Sequence, residues 1–187
     1  MKNRKLIKGA DVVLPDSCKK CSVLIENGKI AAILPKNSAA DAEIINADGM
    51  YMLPGFVEIH AHGGGGFDFA DGTEEAFKAV CGAHLSHGTT SVAPTLVSMS
   101  DESMYRFFDI YRAMKPKIGI NLLGIHLEGP FISPDMKGAQ NPAYIHSPDK
   151  REVDRLADTA GDIISLCTAA PETSGAEYMA KRMKECG

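Results

Sequence analysis

LPGFVEIHAH, residues 53–62, is an apolar run that ends in two histidines, and four glycines follow it at 63–66. From here the chain reads strand, loop, helix, and the pattern repeats. A helix is expected from about Thr73, whose hydroxyl can cap it; Glu74 and Glu75 suit its positive end, and Phe77, Val80, Cys81 and His84 recur at helical spacing before Gly88 closes it. TTSVAPTLV (89–97) is a β-branched second strand, and the helix starting near Ser100 carries Met104, Phe107, Phe108 and Tyr111 on one face. NLLGIHLEGP (121–130) is the third strand; after a long polar loop to Ile145, a helix is expected with Ser147 as cap and Pro148 at its first position. DIISLCTAAPE (162–172) is the fourth strand, leading into a helix over about 174–185. Parallel strands need helical crossovers, so four strand-helix units predict a parallel α/β fold. Barrels and open sheets of this class both place active sites at the C-terminal ends of the strands, where the polar residues of interest lie.

The first fifty residues read differently. In CSVLIENGKIAAIL (21–34), two apolar runs flank Asn27-Gly28, a pair suited to the positive φ angles of a type I′ hairpin turn. With LIKGADVVLP (6–15) and AEIINADGMYMLP (42–54), this predicts a small antiparallel unit over about residues 1–52, and two or three such strands are marginal alone. The remainder, 53–187, is the α/β part.

The 187 residues, 44% hydrophobic and 24% charged, suffice for a sizeable core, and the net charge of -4 without a basic block argues against nonspecific nucleic-acid or anionic-membrane binding. No apolar run is long enough for a membrane span or a signal peptide, so a cytoplasmic location is expected. Cys18, Cys21, Cys81, Cys167 and Cys186 are scattered and odd in number, which predicts free thiols. The dispersed methionines read as core filler.

His60 and His62, two residues apart at a strand end, point to one face and can converge on one divalent cation. Four glycines beside them suit either a flexible surface loop or a backbone that approaches a ligand closely. His126 and Glu128 also share a face, and Gly129-Pro130 ends their strand immediately, leaving a carboxylate that needs a cation or donor partner: a metal shared with His60 and His62, or a structural ion pair. In the loop beyond, Lys137, Gln140 and Asn141 can donate to an oxygen-rich ligand or simply be solvated. His84 reads as a packed core histidine, His87 as suited to a helix C-terminus, His146 as a neighbour of the Ser147 cap, Asp68 and Asp71 as turn and cap residues, and Cys18-x-x-Cys21 as no metal pair.

LPGFVEIHAHGGGG, HGTTSVAPTLVS, GIHLEGPFISPDMKGAQNP and CTAAPE, in this order and spacing, resemble the N-acetylglucosamine-6-phosphate deacetylases of the amidohydrolase superfamily, and the resemblance covers essentially the whole chain. It implies a TIM-type (β/α)8 barrel, of which this chain supplies about four units, with a small β-sandwich domain built from both chain ends. The implied reaction is metal-dependent hydrolysis of the N-acetyl group of N-acetylglucosamine 6-phosphate, with zinc, iron or a similar divalent ion, one or two per site. By position, Glu128 matches the family's metal-binding glutamate, His60 and His62 the pair found in members able to hold a second ion, and Ala139 and Gln140 a substrate-contacting pair. Many members have histidine at the position of Gln140, where it is thought to polarise the amide carbonyl; glutamine donates but carries no charge. The resemblance further implies that the general-base aspartate and two more metal-binding histidines lie beyond Gly187, that the full-length enzyme is a homodimer, and that the 187 residues alone are inactive. Two alternatives remain: a catalytically silent half-barrel, and a deacetylase of the galactosamine epimer.

Overall fold

A computed structural model describes residues 4–186, which divide into two compact units meeting at Pro54 and Gly55. The first contains β1 (Arg4–Lys8), β2 (Asp11–Leu14), β3 (Ser17–Glu26), β4 (Lys29–Pro35), β5 (Glu43–Asn46) and β6 (Tyr51–Met52). The ten-residue β3 is its spine: β2 pairs antiparallel with its first half, β1 with its second, and β4 joins it through the hairpin. Asn27 and Gly28 take φ of 51° and 77°, the two left-handed conformations that a type I′ turn demands. The unit is not purely antiparallel as its hairpin suggested. β5 adds to β1 and β6 to β2 in parallel, because the chain returns to these edges through loops rather than tight turns. Ala10, Val12, Cys21, Val23 and Ala47 form its small core.

The second unit contains β7 (Phe56–Ala61), β8 (Gly63–Gly64), β9 (Phe67–Asp68), α1 (Glu74–Ser86), β10 (Thr89–Leu96), α2 (Asp101–Met114), β11 (Asn121–Leu122), β12 (Ile125–Leu127), α3 (Lys150–Ala160), β13 (Ile164–Cys167) and α4 (Ala176–Glu185). β7, β10, β12 and β13 are neighbours in chain order, all parallel. A doubly wound sheet reverses its order at a switch point; here no reversal occurs, and the sheet curls as part of a barrel wall. The expected third strand is interrupted: β11 and β12 both pair with β10, and between them Gly124 sits at φ 115°, where an added Cβ would lie 2.6 Å from the Ser165 side chain. The fourth strand is shorter than its apolar run implied, because residues after Cys167 leave the ladder.

Helices pack on one side of this sheet. Phe77 and Val80 of α1, Phe107, Phe108 and Tyr111 of α2, and Val153 and Leu156 of α3 share a core with Val92, Leu96, Ile125 and Leu127 of the strands. Each large side chain buried here contributes roughly 1.5–3 kcal/mol; the edge-to-face contact of Phe77 with Tyr111 joins α1 to α2, and that of Phe69 with Phe77 packs the turn after β9 against α1. Thr73 caps α1 as expected, through Ala76 N, and α2 starts where expected, its cap being Ser100 through Ser103 N.

α3 starts two residues later than Ser147 and Pro148 suggested. Its cap is Asp149, which accepts from the N–H groups of Arg151 and Glu152 and, as a carboxylate at a positive helix end, outcompetes serine. α4 is likewise shorter, starting after Gly175 at φ 84°. Met104, Met114 and Met179 are core residues, but Met136 is 83% exposed in the loop after β12, so not all methionines fill the core. Among the described residues, no helix is long and apolar enough to cross a membrane.

Candidate metal centre

β7 delivers His60, and His62 follows at its C-terminal end; β12 delivers His126, and Glu128 follows it. The parallel β10 lies between β7 and β12 and sets their separation. Strand alternation turns His60, His62, His126 and Glu128 to one side, and the ligand atoms of His60, His62 and Glu128 lie within 4.8 Å of one another. The His60 and His62 rings meet edge-on at 4.8 Å between centroids.

His62 is oriented by its backbone surroundings. The main-chain carbonyl of Thr95 can only accept, so its 3.2 Å contact requires the proton on His62 Nδ1. Nε2 then faces Glu128 Oε2 at 2.9 Å. A ring nitrogen and a carboxylate this close need a cation shared between them, either a proton or a metal ion. The Thr95 carbonyl is the kind of outer partner that fixes a metal-binding histidine's tautomer. Thr95 also holds the strand beneath: its hydroxyl accepts from Ala61 N and donates to Ala93 O, all in the buried interior. Two imidazoles and a carboxylate are suitable donors for a zinc-like divalent ion.

His126 stands behind this group. Its ring is 5.1 Å from that of His60, its Nε2 meets the Thr168 hydroxyl at 2.9 Å, and its Nδ1 is sealed without a hydrogen-bond partner among the described residues. Burial first, then the neighbouring His60, holds its pKa below the usual histidine value. A neutral imidazole there spares a cation at His60 and His62 a like-charge neighbour.

The glycines are an ordered hairpin rather than a flexible loop. β8 and β9 pair across Gly65 and Gly66, at φ 63° and 84°, and a Cβ on Gly63 would lie 2.4 Å from Phe67 O. Asp68 accepts from Ala70 N while Asp71 accepts from Asp68 N, a reciprocal cap. The other histidines lie apart from the cluster. His84 is only half-buried, its ring reaching Gly63 O, because the glycine hairpin lies over it in place of a packed side chain. His87 reaches Ala83 O, and His146 pairs with Glu152 rather than serving any cap at Ser147. Cys18 is exposed and Cys21 buried on the same strand, facing apart.

A cavity of about 720 Å³ opens beside the cluster, lined by His62 and Glu128, by Asp68, and by Lys137, Ala139 and Gln140 of the loop after β12. Lys137 Nζ turns back to the carbonyls of Gly138 and Gln140, and Asn141 caps a short turn through Ala143 N. Gln140 is buried against Ser98. The sequence reading passed over Ser98, Thr95 and Thr168; the position of the first two at the C-terminal end of β10 was the available signal.

A curled parallel sheet with a histidine-carboxylate group at its C-terminal edge has the arrangement in which α/β-barrel proteins place their active sites. Residues 51–186 match the amidohydrolase family, and the chain belongs to it. The N-acetylglucosamine-6-phosphate deacetylase of Bacillus subtilis (strain 168) is 31% identical over 189 residues, 96% of this chain and 48% of that protein. Among solved structures, a mutant N-acetyl-D-glucosamine-6-phosphate deacetylase from Mycobacterium smegmatis in complex with N-acetyl-D-glucosamine-6-phosphate superposes with TM-score 0.86 at 28% identity, over 99% of this chain and 48% of that one. The N-acetylglucosamine-6-phosphate deacetylase from Pasteurella multocida gives TM-score 0.88 at 26% identity, over 98% and 49%. The chain spans about half the length of the curated relatives it matches.

Proposed function

We propose that this chain is the N-terminal half of a deacetylase that hydrolyses the N-acetyl group of N-acetylglucosamine 6-phosphate to glucosamine 6-phosphate and acetate. The observation that carries the reading is the convergence of His60, His62 and Glu128 within 4.8 Å at the mouth of a cavity large enough for a sugar phosphate. The similarity to N-acetylglucosamine-6-phosphate deacetylases supports the substrate. Residues 53–187 would form four units of a (β/α)8 barrel, and residues 1–52 one part of a β-sandwich completed by later strands.

His60, His62 and Glu128 would hold a divalent ion such as zinc or iron, which when bound supplies Lewis acidity for water activation and carbonyl polarisation. The chain's own residues then do the remaining work visible here. Glu128 and His62 present oxygen and nitrogen donors in a fixed orientation, set for His62 by the Thr95 carbonyl. Ala139 and Gln140 line the cavity where the sugar's acyl arm would lie, and Gln140 offers a neutral donor. Asp68 is committed to its cap, and the resemblance to the deacetylases implies that the general base is an aspartate beyond Gly187. The full-length enzyme would be a cytoplasmic homodimer acting on this small-molecule amino-sugar phosphate.

The experiment is the intact mass of the native protein followed by acetate release from N-acetylglucosamine 6-phosphate and from its galactosamine epimer. A mass about twice 20.0 kDa with turnover of the first substrate is expected; faster turnover of the epimer would reassign the substrate. A native mass of 20.0 kDa without turnover would support a silent half-barrel; against that reading, Phe56, Val57 and Ile59 of β7 are each more than half accessible, apolar surface of the kind that further barrel strands and helices would cover.

A further inference from the structure

The loop after β12 is tied to the end of β10 by one buried contact. Ser98 donates twice to Gln140 Oε1, from its backbone N–H at 2.7 Å and from its hydroxyl at 2.5 Å, and both residues are buried. A backbone N–H can only donate, so the atom it meets is the amide oxygen, and the orientation of the Gln140 carboxamide follows from chemistry rather than from choice of flip. Gln140 Nε2 is thereby turned away from Ser98. It has no protein partner among the described residues, it is not among the sealed polar atoms, and Gln140 lines the same cavity as His62 and Glu128. The clamp also accounts for Gly129. A Cβ there would lie 1.9 Å from Ser98 Oγ and 3.0 Å from Gln140 Oε1, so only glycine leaves room for serine and amide to meet beside Glu128.

We propose that Ser98 is a positioning residue that locks the Gln140 carboxamide with its N–H donors directed at the acyl oxygen of an N-acyl substrate. This rests on the hydrolytic reading above. Two donors on one oxygen polarise the amide and restrict its rotation, so Nε2 is held in place before substrate arrives and does not reorganise during reaction. Being neutral, the donor is present at every pH at which the chain is folded.

The test uses the full-length native protein, with Ser98→Ala, Gln140→Glu and Gln140→His, and has two readouts. The first is the side-chain 15N–1H order parameter of Gln140 in the metal-free protein: about 0.85 is expected for the wild type and below about 0.6 for Ser98→Ala. The second is turnover of N-acetylglucosamine 6-phosphate. Ser98→Ala is expected to lower kcat about tenfold with KM little changed. Gln140→Glu keeps the oxygen that Ser98 grips but has no donor, and should lower kcat by about a hundredfold or more with metal content unchanged. Gln140→His, which can accept with one nitrogen and donate with the other, should recover most of the loss. Wild-type kcat in Ser98→Ala, or an equally mobile Gln140 amide in wild type and variant, would overturn the proposal. If the wild type binds metal but does not release acetate, the substrate reading fails instead, and the order parameters still decide whether Ser98 locks the amide.

Discussion

At the residue scale, the site depends on groups that would be costly to leave alone. Thr95 is fully buried, and its hydroxyl satisfies the Ala61 N–H just before His62. Thr95→Val keeps the shape but strands that donor; we expect a loss of about 1–3 kcal/mol in urea unfolding, the cost of an unsatisfied buried amide. Glu128 faces His62 across 2.9 Å. Glu128→Gln removes the negative charge of the proposed ligand but keeps its volume, and equilibrium dialysis with zinc should show affinity falling by at least about tenfold, the lower bound for losing even an outer partner of a metal's ligands. The pairing of His60 with His62 follows from strand alternation and was legible from the two-residue spacing. That Glu128 would reach them was less so, because the approach of β12 to β7 depends on β10 lying between them.

At the element scale, α1 shows how local and tertiary forces combine. Thr73 caps it and Glu74 and Glu75 sit at its positive end, all legible in the sequence; Thr73→Ala should cost about 1 kcal/mol by thermal unfolding. Cys81 on the same helix is 1% exposed, and burial pushes its thiol from 9.0 up to about 12; burial does the same for Cys167 on β13. The sign follows from the proton count. Between these values the folded chain keeps protons that the unfolded chain releases, so the stabilisation is complete below pH 9.0 and is lost as pH rises toward about 12. Unfolding midpoints measured across that range should fall, and less steeply in Cys81→Ala. α3 does not start at Ser147-Pro148, which resembles a cap and first turn, because Asp149 accepts two backbone N–H groups and a charge at a helix end counts for more.

At the scale of the whole molecule, the parallel sheet ends in two strands with uncovered apolar positions, Val57 and Ile59 on β7 and Leu166 on β13. Open strand edges with such residues pair with whatever strand is available. The isolated 187-residue chain is therefore expected to self-associate in sedimentation velocity and to release no acetate from N-acetylglucosamine 6-phosphate. Val57→Lys should shift it toward monomer.

The sequence by itself determined the kind of elements, their order, and which side chains share a strand face, because alternation, helical spacing, caps and the Asn27-Gly28 turn act over a few residues. The glycine hairpin over residues 63–68 was not legible, since four glycines suit a flexible loop as well as a turn until Phe67 and Asp68 are seen to pair back. Only the tertiary structure decided the unreversed strand order, the meeting of His62 with Glu128, and the grip of Ser98 on Gln140 across 42 residues of chain. These depend on which strands become neighbours, and that is settled by burial of the shared core between sheet and helices, a many-body balance that no short stretch of sequence contains.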